Sequence, residues 1–107
     1  LVALQVLTPD LDRLHTHYEE HVGKPFFEPL CAFMSSGPVA AVVIVGDRCV
    51  EGFRALAGAT APTKALPGTI RGDLGRDWGT PVQQNVVHGS DSPASAAREI
   101  GIWFPEL

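Results

Sequence analysis

The side chain best placed to do chemistry is His88, which closes the short run Asn85-Val86-Val87 and is followed at once by Gly89-Ser90-Asp91-Ser92. An unperturbed imidazole, with a pKa of about 6.5, is mostly neutral at pH 7, where it is the most nucleophilic uncharged side chain available. Such a ring can attack a terminal phosphorus in line, hold the group covalently and surrender it again. Gly89 is expected to let another molecule come close to the backbone beside the ring. A lone histidine at a strand end is more often held by backbone groups than used. The fixed set of polar residues around this one reverses that reading.

Moving an anionic group also needs cations. Lysines and arginines number eight against twelve acids, for a formal net charge of −4. An anionic ligand must therefore be held by a few focused arginines. Guanidinium suits the task because it stays charged and its fork pairs two phosphate oxygens at once. Arg71 lies in a long stretch rich in Gly, Pro and Thr, residues 59–81, of the kind that forms binding loops. Arg54 taken alone reads equally well as a helix C-terminal residue that favours the dipole.

The elements that must position these groups follow from periodicity and turn chemistry. Residues 1–7 are apolar and β-compatible. Thr8-Pro9-Asp10 supplies an N-cap, a first-position proline and an acid, and Leu11, Leu14 and Tyr18 recur at helical spacing until Gly23 and Pro25. Phe27, Leu30, Cys31 and Met34 repeat that spacing up to Gly37-Pro38. Residues 39–45 lack polar alternation, which predicts a strand buried on both faces. Gly46-Asp47 opens a third helix with Val50, Phe53 and Leu56 inward, ended by Gly58. Residues 82–87 are expected to form the last strand, and Ser92-Pro93 to cap a helix running to Trp103.

With 107 residues and 45% hydrophobic composition, residues 1–107 read as one small domain of α+β class. The acidic balance argues against a nucleic-acid or membrane-binding face. Cys31 and Cys49 show neither metal nor redox spacing, which fits an unbridged cytoplasmic protein. No apolar run approaches the ~20 residues of a membrane span. His15, His17 and His21 cluster on the first helix, and the last two, four apart, are an alternative zinc pair, though no nearby cysteine completes a closed site.

The run Asn85-Val86-Val87-His88-Gly89-Ser90-Asp91 resembles, almost letter for letter, the active-site signature of the nucleoside diphosphate kinases. The resemblance implies a ferredoxin-like βαββαβ sandwich, an antiparallel sheet with helices packed on it, here lacking the family's first strand and helix. It implies that His88 carries a phosphoryl group on Nδ1 between nucleoside tri- and diphosphates in a ping-pong cycle. Glu99 then orients the ring, Ser90 supports its turn and Tyr18 lines the pocket. Arg54, Thr60 and Arg71 match the phosphate contacts, Asn85 the ribose contact, and Phe26 and Val82 the two faces of the base site. Stacking alone accepts any base. Mg²⁺ is expected to arrive on the nucleotide phosphates with few or no protein ligands, and the assembly to be a homo-oligomer, tetramer or hexamer. The family's lysine has no counterpart within residues 1–107, and Ala61-Pro62 replaces its usual Asn-Pro or Asp-Pro. The loop over residues 74–81 is longer than in common members. Because the family's missing strand sits between two that are present, an N-terminal segment or a swapped partner strand is expected. The competing reading is a catalytically inactive nucleotide-binding or assembly module of the same fold. Arg71-Gly72-Asp73 also spells an integrin motif, which in a cytosolic protein is a coincidence of three letters.

Overall fold

The computed structural model describes residues 1–75, 79 and 84–107, and divides into two compact units. The first comprises residues 1–45 and 97–107, the second residues 46–96.

In the first unit, β1 (Ala3–Leu7) and β2 (Val39–Val43) pair antiparallel, with Leu4 opposite Val42 and Val6 opposite Ala40. Because side chains alternate, this register puts Leu4, Val6 and Val42 on one face, where they are exposed by 57%, 69% and 48%. On the other face Val43 is buried and Ala3, Gln5, Leu7, Val39 and Ala41 are half-buried. The expectation that residues 39–45 are covered on both faces is therefore corrected. An antiparallel pair needs cover on one side only, and Ile44 and Val45 run past its end.

Helix α1 (Leu11–His17) starts two residues later than expected, because the Asp10 carboxylate accepts the Arg13 amide at 2.9 Å and takes the capping role assigned to Thr8. It ends at Tyr18 and gives way to a 3-10 turn, Glu19–His21. Helix α2 (Phe27–Met34) follows with Pro29 in its first turn, where a missing N–H does no harm. Leu14, Phe27 and Cys31 form the core, with Tyr18, Met34 and Trp103 packed against it. Leu11, expected in the same stripe, is 54% exposed.

The second unit holds α3 (Cys49–Ala57), a 3-10 turn (Pro62–Lys64) and α4 (Ile70–Leu74). Helix α4 falls within the stretch read as irregular loop. Thr69 caps it by accepting the Gly72 amide at 3.0 Å, so a Thr three residues before a glycine supplied the start signal. In α3 Leu56 is 64% exposed rather than inward, while Ala57 is buried. Residues 84–88 are not a strand, contrary to expectation. The Val87 carbonyl accepts from the Arg71 side chain instead.

Helix α5 (Pro93–Trp103) starts where Ser92-Pro93 predicts, with Ser92 Oγ accepting the Ser95 amide at 3.0 Å.

Candidate active site

Arg71, in the first turn of α4, organises the second unit. Its side chain is 8% exposed and reaches three oxygens, one at Gly58 and two in the run that leads into His88. Nε donates to Asn85 Oδ1 at 3.2 Å, Nη1 to the Gly58 carbonyl at 3.0 Å, and Nη2 to the Val87 carbonyl at 2.9 Å. Val87 immediately precedes His88, so the guanidinium fixes the backbone that leads into the ring. Asn85 closes the set by donating from Nδ2 to the Thr60 carbonyl at 2.8 Å.

Gly58 can offer its carbonyl because its φ is +87°, a conformation L side chains rarely adopt. A Cβ there would also lie 2.8 Å from Thr69 Cβ. Sequence reasoning read this residue only as a helix stop and missed that its carbonyl anchors Arg71. The one available signal was a glycine between a helix end and an arginine-bearing loop.

Burial, and then the charge of Arg54, pull the Arg71 guanidinium below its ordinary pKa. Two cations close enough to feel each other are unfavourable until an anion joins them, which makes their neighbourhood a candidate anion site. The Asp91 carboxyl is held below the usual range, first by the Ser95 hydroxyl, which donates to it at 2.6 Å, and also by Arg54. His88 is exposed and Ser90 half-buried. An open ring is what a nucleophile serving external substrates requires.

Gly89 has a different role from the one expected. A Cβ at this position would lie 2.7 Å from Cε1 and 2.8 Å from Cδ1 of Phe53, so the missing side chain makes room for an aromatic ring of α3. Gly89→Ala is expected to lower the stability of the chain by about 1–3 kcal/mol through overpacking. Urea unfolding of variant and wild type checks this, and an unchanged midpoint would show that Phe53 yields freely.

The first unit carries Tyr18, Phe26 and Glu99. Phe26 is 38% exposed, with His21 edge-on to its ring at 5.1 Å and Lys24 Nζ 5.8 Å from the ring centroid. Its neighbour Phe27 is the core residue, which leaves Phe26 available as a stacking surface. Tyr18 packs on the core. Burial, then Cys31 and Glu99, push its phenol up to about 12. It is the only tyrosine in the chain, so an absorbance titration reads it directly. A phenol whose folded pKa is raised favours the fold below its unfolded value near 10 and loses that contribution as pH rises through about 12. At about pH 10.5 the phenol is therefore expected to stay almost wholly protonated in the folded chain and to be largely ionised once the chain is unfolded. Equal titration in both states would contradict this.

The zinc alternative is not met. His17 is buried and its Nδ1 accepts the Trp103 indole N–H at 2.9 Å. His21 lies in the 3-10 turn, where Nδ1 is 3.3 Å from Lys24 Nζ, and His15 tilts against Phe27 at 5.1 Å. Because α1 stops at His17, residues 17 and 21 do not share a helical face. The integrin reading of residues 71–73 fails too, since Arg71 is buried. Val82 and most of the loop over residues 74–81 lie outside the described residues.

Of the residues singled out in the sequence, the second unit brings Arg71, Asn85, Thr60 and the approach to His88 into one bonded set, with Arg54 close enough to act on both Arg71 and Asp91. In the first unit Tyr18 and Glu99 are close enough to interact.

A family model described as "Nucleoside diphosphate kinase" matches residues 1–107. A protein of that name from Thermobifida fusca is 54% identical over 107 residues, covering all of this chain and 76% of the relative. One from Mycolicibacterium gilvum is 56% identical over 108 residues, again with all of this chain and 76% of the relative. Among solved structures, a halophilic nucleoside diphosphate kinase from Halobacterium salinarum in complex with CDP superposes with a TM-score of 0.90 at 41% identity, over 98% of this chain and 68% of that one. An Aquifex aeolicus nucleoside diphosphate kinase gives 0.85 at 36% identity, over 95% and 72%.

Proposed function

We propose, since this chain belongs to the nucleoside diphosphate kinase family, that His88 is the residue on which its phosphoryl group travels. The fold is the family's ferredoxin-like α+β plan. The activity is phosphotransfer from a nucleoside triphosphate to a nucleoside diphosphate. Residues 1–107 act as one domain in this reading.

In the first half-reaction His88 Nδ1 attacks the γ-phosphorus, the bond from that phosphorus to the bridging oxygen breaks, and the diphosphate leaves with the electron pair. In the second, a terminal oxygen of another diphosphate attacks the phosphohistidine and the P–N bond breaks, which restores the neutral ring. Splitting transfer this way lets one site serve donor and acceptor in turn. Charge on the phosphoryl oxygens grows or shifts in both steps, so fixed cations stabilise it without reorganising. Arg71 and Arg54 supply them, and Thr60 adds a phosphate contact.

Asn85 contacts the ribose. Among the described residues its amide makes two bonds, and the second N–H and lone pair suit a hydroxyl. Phe26 and Val82 hold the base by its faces, which accepts every nucleobase. Tyr18 lines the pocket, Glu99 orients the ring of His88 and Ser90 supports its turn. The bound CDP of the Halobacterium salinarum relative supports a nucleoside diphosphate as ligand.

About His88 the second unit gathers guanidiniums and an amide, donors that suit phosphate more than a bare cation. That fits Mg²⁺ carried on the nucleotide, where it neutralises phosphate charge. Homo-oligomerisation to a tetramer or hexamer is supported by the exposed row Leu4, Val6 and Val42. A cytoplasmic setting is supported by the unbridged Cys31 and Cys49. Among the described residues no helix is long and apolar enough to cross a membrane.

The observation that carries this reading is the buried Arg71 fork bonded to the carbonyl next to His88. Incubation with γ-labelled ATP is expected to give an acid-labile, alkali-stable phosphoprotein that passes its label to any added nucleoside diphosphate. A chain that stays unlabelled would be the inactive binding module instead.

A further inference from the structure

Trp103 is held on three sides within the first unit. The Gln5 amide donates to its carbonyl at 2.6 Å, the Arg13 guanidinium lies 5.5 Å from its ring centroid, and its own Nε1–H donates to His17 Nδ1 at 2.9 Å. The His17 ring is fastened as well. It stands edge-on to Tyr18 at 4.5 Å and to Trp103 at 5.7 Å, and the carbonyls of Thr16 and His17 accept from Arg98.

An indole nitrogen can only donate, so Nδ1 of His17 must be the accepting, unprotonated nitrogen. The proton of the neutral ring is then on Nε2. A ring nitrogen of His17 and a carboxylate oxygen of Glu99 come within 4.8 Å of each other. A carboxylate is the acceptor that such an N–H prefers.

We propose that Trp103 and His17 are positioning residues for Glu99: the indole fixes the tautomer of the ring, and the Nε2–H so fixed steers the carboxylate. The inference rests on the role given above to Glu99 in orienting His88. It adds two residues, one of them at the far end of α5, to the set on which phosphotransfer depends. They act by removing alternatives. Without the indole the ring could carry its proton on Nδ1 and would turn a lone pair toward the carboxylate, which would push Glu99 away.

The test uses the full chain. Two-bond proton–nitrogen correlation spectra of ¹⁵N-histidine-labelled protein are expected to show His17 as the Nε2–H tautomer. In Trp103→Phe, which keeps an aromatic ring but loses the donor, His17 is expected to become a mixture of tautomers. The same variant should lose about tenfold in kcat with nucleotide KM unchanged, the scale on which a small misplacement of an orienting group acts. His17→Leu should fall as far, and the double variant no further, because the two act through one chain of contacts. A wild-type His17 carrying its proton on Nδ1, or a Trp103→Phe variant with tautomer and kcat both unchanged, would overturn the proposal. The tautomer readout needs no turnover. It decides this inference even if wild-type His88 fails to label, an outcome that would sink the phosphohistidine relay instead.

Discussion

His88→Ala is expected to abolish phosphoenzyme formation and to lower phosphotransfer by about 10⁴-fold or more, because a covalent relay has no substitute for its nucleophile. The size of the effect is interpretable because the ring is exposed. Truncating an exposed side chain usually changes stability by no more than about 0.5 kcal/mol, so the loss would report chemistry rather than unfolding. Label retention after acid or base treatment, measured alongside urea unfolding, separates the two. Equal labelling of wild type and variant would remove the phosphohistidine from the mechanism and move attention to another nucleophile.

Arg71→Met should cost less activity than His88→Ala but should also cost stability, two effects that can be measured apart. Removing the guanidinium deletes a cation from the anion site, an effect of about 10²–10³ in kcat by analogy with other preorganised donors. It also strips partners from the Gly58 and Val87 carbonyls and from Asn85 Oδ1. Each group left unsatisfied in a buried place costs about 1–3 kcal/mol, less where water can reach it. A clear drop in the urea midpoint should therefore accompany the loss of activity. Arg71→Lys is the sharper variant. It preserves charge, but a single ammonium on a flexible stem cannot serve three acceptors spread over two stretches of chain, so most of the stability loss should remain. If Arg71→Lys were as stable as wild type, the bonded set around Arg71 would not be what fixes the approach to His88.

Much of this was legible in the chain itself. The polar set around His88 is specific because nothing in packing demands it, and the caps of α5 and the apolar spacing of α2 were read from local chemistry that tertiary contacts leave intact. The misreadings have a common physical source. Residues 39–45 are apolar throughout, and composition cannot say which face of a strand is covered. Residues 84–88 have strand-like content, yet pairing is a property of neighbours. Helix α4 spans only five residues, too short for a period to show, and it is held by the Thr69 cap and by the bonds of Arg71. Gly89 was read as an opening toward a ligand because a bare sequence does not show Phe53 pressed against it. The Trp103–His17 contact joins positions 86 apart in the chain, and no local pattern announces it.

A guanidinium has five N–H groups, and among the described residues Arg71 uses three of them on its own chain, one from each nitrogen. That leaves one hydrogen on each terminal nitrogen, the pair that a phosphate can engage side by side. A side chain already tethered in this way surrenders almost no rotamer freedom when a nucleotide arrives and regains none when it departs. The receptor for the outgoing diphosphate is thus the receptor for the incoming one without any interval of resetting, which suits an exchange whose two halves are mirror images.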